Sequence, residues 1–504
     1  MRKAIWILND QCDEFNTALS SYKDGDVVLM AESFPELNLK FGHQKRTAFI
    51  LAVNRQFATQ LRNKHININY LEYEVHSHLN QIERLVQKTL ELGYGEVILT
   101  RPKDMHQRSA IQSLPLSITY TRDNNLISDE EIELPVFKSK NIRMERFYQA
   151  MRQKTGLLML DQSLISGQYN YDKQNKQSLK QLPNKHHRPS FKKTDLLNHV
   201  LALVKRDFKH QLGTLDAFYF SITREQALVE LNYFAEFILP TFGQYQDNIV
   251  LEDAYLSHSL LSAYLNIGLL NPLEVCLRAE QTYHQGLASI ETTEGFIRQI
   301  LGWREYMFYQ YLNQMPQLET SNALHAHNPL PAFYWTAKTE MNCLKNMIES
   351  TLKDAYANHI QRLMLGTNFA LLAEIEPYQV HEWYLGVFAD AWAWVEMPNT
   401  IGMGLYAEGG KIASKPYISS AAYIHRMSNA CSSCTYKHSE LLGEYACPFN
   451  ALYWNHIAKH QALYLKNPRM AMMVRNYLKF DEVKKQDIAL QAASIFDRMR
   501  TQVL

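Results

Sequence analysis

Within the first 130 residues, short β-rich apolar runs at 4–8, 27–30, 97–99 and 118–121 alternate with helical patterns at 45–63 and 75–92, the latter closed by Gly93. Strands separated by stretches of this length imply a parallel sheet with helices on its faces, a doubly wound α/β domain over 1–130. Ligands of such sheets sit beyond the C-terminal strand ends, here near Asn9-Asp10 and Ala31-Glu32. No G-x-G-x-x-G follows either strand, so the dinucleotide fingerprint is absent. From about 216 apolar residues recur at 3–4 spacing with breaks at Asn271-Pro272, Pro377 and Pro398, which predicts a large all-helical domain over 216–504. Between them, 131–215 reads as a connector. Its segment 171–195 carries seven lysines and arginines against two acids, which suits a solvated linker or one that also lines a phosphate surface.

Charge narrows the function classes. Lysine plus arginine is 52 against 51 acids, a net +1, so any nucleic-acid surface must be a local patch. No run reaches the ~18 apolar residues of a membrane span, and the apolar stretch 383–395 carries Asp390 inside it. Met1-Arg2-Lys3 is followed by only five apolar residues before Asn9-Asp10, too few for a signal peptide. Six cysteines in 504 residues do not suit a disulfide scaffold. The expectation is a cytoplasmic protein.

Three motifs carry chemistry. Cys431-Ser-Ser-Cys434 is followed by Cys447-Pro448, with Cys343 upstream. Four thiolates suit a closed site for zinc or an iron–sulfur cluster, and spacing alone does not choose between them. Cys12 and Cys276 lack companions and read as packing residues. Around the cluster, residues 409–439 contain no acid but hold Lys411, Lys415, Arg426 and Lys437, interleaved with Tyr417, Tyr423 and Tyr436. Such a stretch suits a phosphate backbone and stacked bases. Five of the seven tryptophans lie in the helical half before the C-x-x-C, as core or as an electron relay.

The run His258-Ser-Leu-Leu-Ser262-Ala-Tyr264 resembles the flavin-phosphate motif of the cryptochrome/photolyase family. Gly302-Trp303-Arg304-Glu305-Tyr306 and Asn358-His359-Ile-Gln-Arg362-Leu-Met364 resemble other flavin-site segments of that family. The cysteine spacing, Lys154-Thr-Gly-Leu-Leu158 and Gly42-His43-Gln-Lys45-Arg46 narrow the resemblance to the iron–sulfur bacterial cryptochromes and photolyases, the prokaryotic (6-4) photolyases. The match runs essentially end to end.

The resemblance implies a light-driven enzyme that reverses (6-4) pyrimidine–pyrimidone photoproducts in UV-damaged DNA, working as a monomer. It also implies three cofactors: FAD, a 6,7-dimethyl-8-ribityllumazine antenna, and a [4Fe–4S] cluster on Cys343, Cys431, Cys434 and Cys447. His359 falls on the family's catalytic histidine, and Tyr417 and Tyr423 on tyrosines of the lesion pocket. Trp335, Trp383 and Tyr384 match the residues that re-reduce the flavin. His258, Ser259, Leu260, Ser262, Gln299, Arg304, Arg362, Asp390 and Glu396 are the implied FAD contacts, and Asp10, Glu36 and Ile50 the implied lumazine contacts. Gly42-His43-Gln44-Lys45 departs from the family's more usual paired histidines followed by lysines. Lys415 and Arg426 are the expected DNA contacts. The competing expectations are a blue-light photoreceptor of the cryptochrome kind and an iron–sulfur nucleic-acid-binding module without photochemistry.

Overall fold

The computed structural model describes residues 2–128, 142–175, 183, 185–501 and 504. Five strands, β1 (Ala4–Trp6), β2 (Val27–Ala31), β3 (Ile68–Leu71), β4 (Glu96–Thr100) and β5 (Ser117–Thr121), form one parallel sheet in the order β3-β2-β1-β4-β5. The inner strands β1 and β2 and the middle of β4 are apolar because both faces are covered. Ile5, Ile7, Val28, Met30 and Ile98 pack on one side, toward helix Gln44–Asn63. Trp6, Leu29, Val97 and Leu99 pack on the other with Ile82 and Leu85 of helix Gln81–Glu91. The order reverses between β1 and β4, which places the ligand crevice beyond their C-terminal ends, at Asp10 and Lys103. Strand β3 was not expected. Its sequence, Ile-Asn-Tyr-Leu, mixes a polar residue into a half-buried edge and carries no apolar run.

The remaining described residues are mostly helical. Two of the breaks the sequence suggested fall where expected and the proline then begins the next helix, whereas at Pro398 helix Ala393–Met397 runs straight on into a π-helical segment. Pro272 and Pro377 open helices Pro272–His284 and Pro377–Val387, capped by Asn271 and Glu376, because proline's missing N–H falls where helices have no internal acceptor. The pattern before Asn271 yields only helix Ser262–Ile267. The basic segment 171–195 lies partly outside the described residues. Within the described part, Arg188 donates to the His258 carbonyl at 2.6 Å.

Helix Gln44–Asn63 enters the helical half at its N-terminal end. His43 Nε2 meets the Leu352 carbonyl at 2.9 Å, Lys45 Nζ donates to the Lys353 carbonyl at 2.6 Å, and Arg46 donates to the Ala391 carbonyl at 3.2 Å. The approach is backbone to backbone: a Cβ on Gly386 would sit 2.6 Å from the Phe41 carbonyl oxygen. The Gly42–Arg46 motif therefore joins the two halves, and its charged side chains are spent on that junction.

Candidate functional site

Three π-helical segments, Arg298–Arg304, Arg362–Thr367 and Pro398–Gly404, converge on one cavity of about 320 Å³. A π turn widens the helix by one residue and is found most often at functional sites. Each segment contains glycine, and at three of these positions, Gly366, Gly402 and Gly404, a neighbour fills the space a side chain would need. A Cβ on Gly366 would strike the Tyr384 hydroxyl, and one on Gly402 would strike Ile412.

The cavity gathers His258, Ser259, Leu260, Ser262, Gln299, Arg304, His359, Arg362, Tyr384, Asp390 and Glu396. Leu260 holds a left-handed backbone at φ 60°, a conformation that costs about 1–3 kcal/mol and persists where the surroundings demand it. Ser262 Oγ donates to Asp390 at 2.6 Å, and Arg362 pairs with the same carboxylate at 2.9 Å while its guanidinium lies over Phe388. His258 contributes wall and not a free donor. Its ring nitrogens face the carbonyls of Tyr255 at 3.1 Å and Gln246 at 3.0 Å, and burial pulls its pKa down to about 4. Arg304 bonds Asn266, the Asn125 carbonyl and Glu305, yet its Nη2 is buried without a partner. Glu396 Oε1 is likewise buried and unpaired. A buried donor and a buried acceptor in residues of one cavity wall each cost about 1–3 kcal/mol while unpaired.

His359 begins helix His359–Gln361, whose cap is the Asn358–Gln361 box, and it is exposed where it lines the cavity. Tyr423 does not line the cavity, but it lies near enough to feel Asp247, which does, and it stacks under Arg426 at 5.4 Å. Burial first and Asp247 second push the Tyr423 hydroxyl pKa up. Tyr417 and Lys415 are half-buried and also stand outside the lining.

A line of rings leads away from the cavity. Tyr384 lines it and donates to the Arg362 carbonyl at 2.8 Å. Fully buried Trp383 meets Tyr384 edge-on at 5.1 Å and Tyr334 edge-on at 5.2 Å. Tyr334, next to half-buried Trp335, bonds the Gly366 carbonyl at 2.9 Å. Both tyrosines are thus anchored to the π segment Arg362–Thr367. Tyr334 was missed in the sequence, where only its adjacency to Trp335 marked it.

Cys343, Cys431, Cys434 and Cys447 ring a small second cavity with Met341, Tyr436 and Phe449. Burial first, then the other three thiols, push Cys343 up. Among the described residues no group of three or more His, Cys, Asp or Glu is gathered closely enough for a single metal ion. Cys12 and Cys276 are buried elsewhere.

At the sheet edge Lys103 pairs with Asp10 at 3.2 Å and Asp123 at 2.9 Å. Glu36 accepts from the Gln81 amide at 2.9 Å, and burial, then Asp104 and Asp10, push its carboxyl up to about 7. Ile50, 4% exposed, lies one helical turn from Asn54, which donates to the Asn9 carbonyl at 3.1 Å.

A family model described as deoxyribodipyrimidine photo-lyase-related protein matches residues 5–220. A (6-4) photolyase of Agrobacterium fabrum is 38% identical over 99% of this chain and 100% of its own length. The chain belongs to the photolyase family. Its fold agrees with that of a bacterial class III photolyase from Agrobacterium tumefaciens, with a TM-score of 0.57 at 14% identity over 92% of this chain and 97% of that one. A cryptochrome from Synechocystis matches with a TM-score of 0.56 at 11% identity, over 80% and 82% of the two chains. At such identities the last two speak for the fold alone. Among the described residues no helix is long and apolar enough to cross a membrane.

Proposed function

We propose that this photolyase is a light-driven (6-4) DNA photolyase, a monomer acting on UV-damaged DNA. The observation that carries the reading is the convergence of the flavin-motif residues on one cavity that holds an unpaired buried arginine nitrogen and an unpaired buried carboxylate oxygen. That donor set fits FAD, held by His258, Ser259, Leu260, Ser262, Gln299, Arg304, Arg362, Asp390 and Glu396. When bound and reduced, FAD supplies on excitation the electron that opens the lesion.

The chain's own groups do the rest. His359, exposed at the cavity, is placed to give a proton to a base flipped toward it. Tyr417 and Tyr423 offer aromatic walls, and Lys415 and Arg426 neutralise phosphates. Tyr384, Trp383 and Tyr334 with Trp335 conduct electrons inward. The four cysteines that line the second cavity are the set that would hold a [4Fe–4S] cluster, which would cross-link the C-terminal segments. Asp10, Glu36 and Ile50, near the C-terminal end of the sheet, would hold a 6,7-dimethyl-8-ribityllumazine antenna, which would supply light gathering.

The test is an absorption spectrum of the purified chain, followed by blue illumination with defined lesions. Flavin bands and loss of the (6-4) lesion are expected, with cyclobutane dimers left intact. A flavin-loaded protein that repairs neither lesion would return the reading to a photoreceptor, and a flavin-free one to a nucleic-acid-binding module.

A further inference from the structure

One cation of the connector reaches the turn that carries the flavin-phosphate motif. Arg188 donates through Nη2 to the His258 carbonyl at 2.6 Å. Its guanidinium rests over two rings, Tyr233 at 5.8 Å and Tyr255 at 5.4 Å. Glu230, on helix Arg224–Tyr233, is 6% exposed, and the charge that acts on it through space is Arg188. The chain beside Arg188 is held as well, since the His186 ring packs on Phe237 at 5.5 Å. Arg188 itself does not line the cavity, whereas His258, Ser259, Leu260 and Ser262 do.

What Arg188 holds is a turn set up to donate. The His258 amide donates to the Tyr255 carbonyl at 2.9 Å, and its ring is fixed between the carbonyls of Tyr255 and Gln246. Two residues on, Leu260 takes its left-handed backbone at φ 60°. Among the described residues neither the Ser259 amide nor the Leu260 amide meets a backbone acceptor. The His258 carbonyl and the Ser259 N–H belong to one peptide unit. A charged donor on that oxygen polarises the unit and makes its N–H a stronger donor in turn.

Resting on the flavin reading, we propose that Arg188 is a positioning residue for the phosphate end of the flavin. It fixes the turn 258–262 through the His258 carbonyl and strengthens the Ser259 N–H as a donor to a phosphate oxygen. The connector thereby takes part in selecting a flavin that carries phosphates over one that does not. Arg188 touches no bound group and acts through the backbone it holds.

The experiment dilutes the flavin-loaded full chain and follows released flavin by its fluorescence, once with FAD and once with riboflavin exchanged into the site. Arg188→Gln should release FAD about tenfold faster than the parent, as for a lost charged hydrogen bond, and riboflavin at the parental rate. Arg188→Lys, which keeps the charge and a donor, should restore most of the FAD retention. If Arg188→Gln does not fold, Tyr255→Leu, which removes one ring beneath the guanidinium, should show the same split on a smaller scale. Parental FAD release from the variant overturns the proposal. So does faster release of both flavins alike, or faster FAD release that Arg188→Lys leaves unrestored, since either marks a general loosening. A parent chain that takes up neither flavin overturns the reading beneath the proposal instead.

Discussion

At the C-terminal edge of the sheet, Lys103 is held between Asp10 and Asp123, and Glu36 takes the Gln81 amide. Around the helical cavity, Arg304 Nη2 and Glu396 Oε1 are buried with no protein group to meet them. The sheet edge pairs its buried charges internally. At the helical cavity the charges are paired as well, Arg304 with Glu305 and Glu396 with His381, but one polar atom of each is left without a hydrogen bond.

Cysteine substitution should have the largest effect. Cys434→Ala should release the iron and destabilise the helical half by about 4 kcal/mol or more, read from iron content and the denaturant midpoint. Full iron and an unmoved midpoint would break the four-cysteine assignment. Gly366→Ala comes next, since the new methyl displaces Tyr384 from the π segment. It should cost about 1–3 kcal/mol and lower flavin retention, whereas lumazine absorbance stays intact.

The sheet edge should respond to pH instead. Glu36 is raised from 4.5 to about 7, so it holds its proton more tightly folded than unfolded. Its contribution is complete below the unfolded pKa and is lost as pH rises through the folded one. Glu36→Gln should flatten the stability profile across that window, measured by urea unfolding, with flavin content unchanged. Ile50→Trp should have the smallest effect on the helical half. The indole fills antenna space, so lumazine absorbance falls while flavin content and repair by chemically pre-reduced enzyme hold steady.

Much of this contrast was legible from residue patterns. Four strands carried apolar runs, and the flavin motifs carried the cavity residues by number. Strand β3 was not legible, because an asparagine inside a half-buried edge imitates a loop. The π segments were not either: a lone glycine in a helical pattern such as Gly366 signals a close neighbour but does not say that the neighbour is Tyr384. His381 gave no local sign, since its partner Glu396 stands on another helix. Gly42–Arg46 pointed to the family, but only packing revealed that His43, Lys45 and Arg46 serve the junction between the halves.

The central claim is that the helical cavity reverses a (6-4) lesion by electron donation followed by proton transfer from His359. The most direct measurement is repair of a defined (6-4) duplex under blue light by His359→Ala, loaded with FAD and chemically reduced beforehand. Loss of repair by about a hundredfold or more is predicted, with lesion binding and flavin content as in the parent. Parental repair by that variant would contradict the claim.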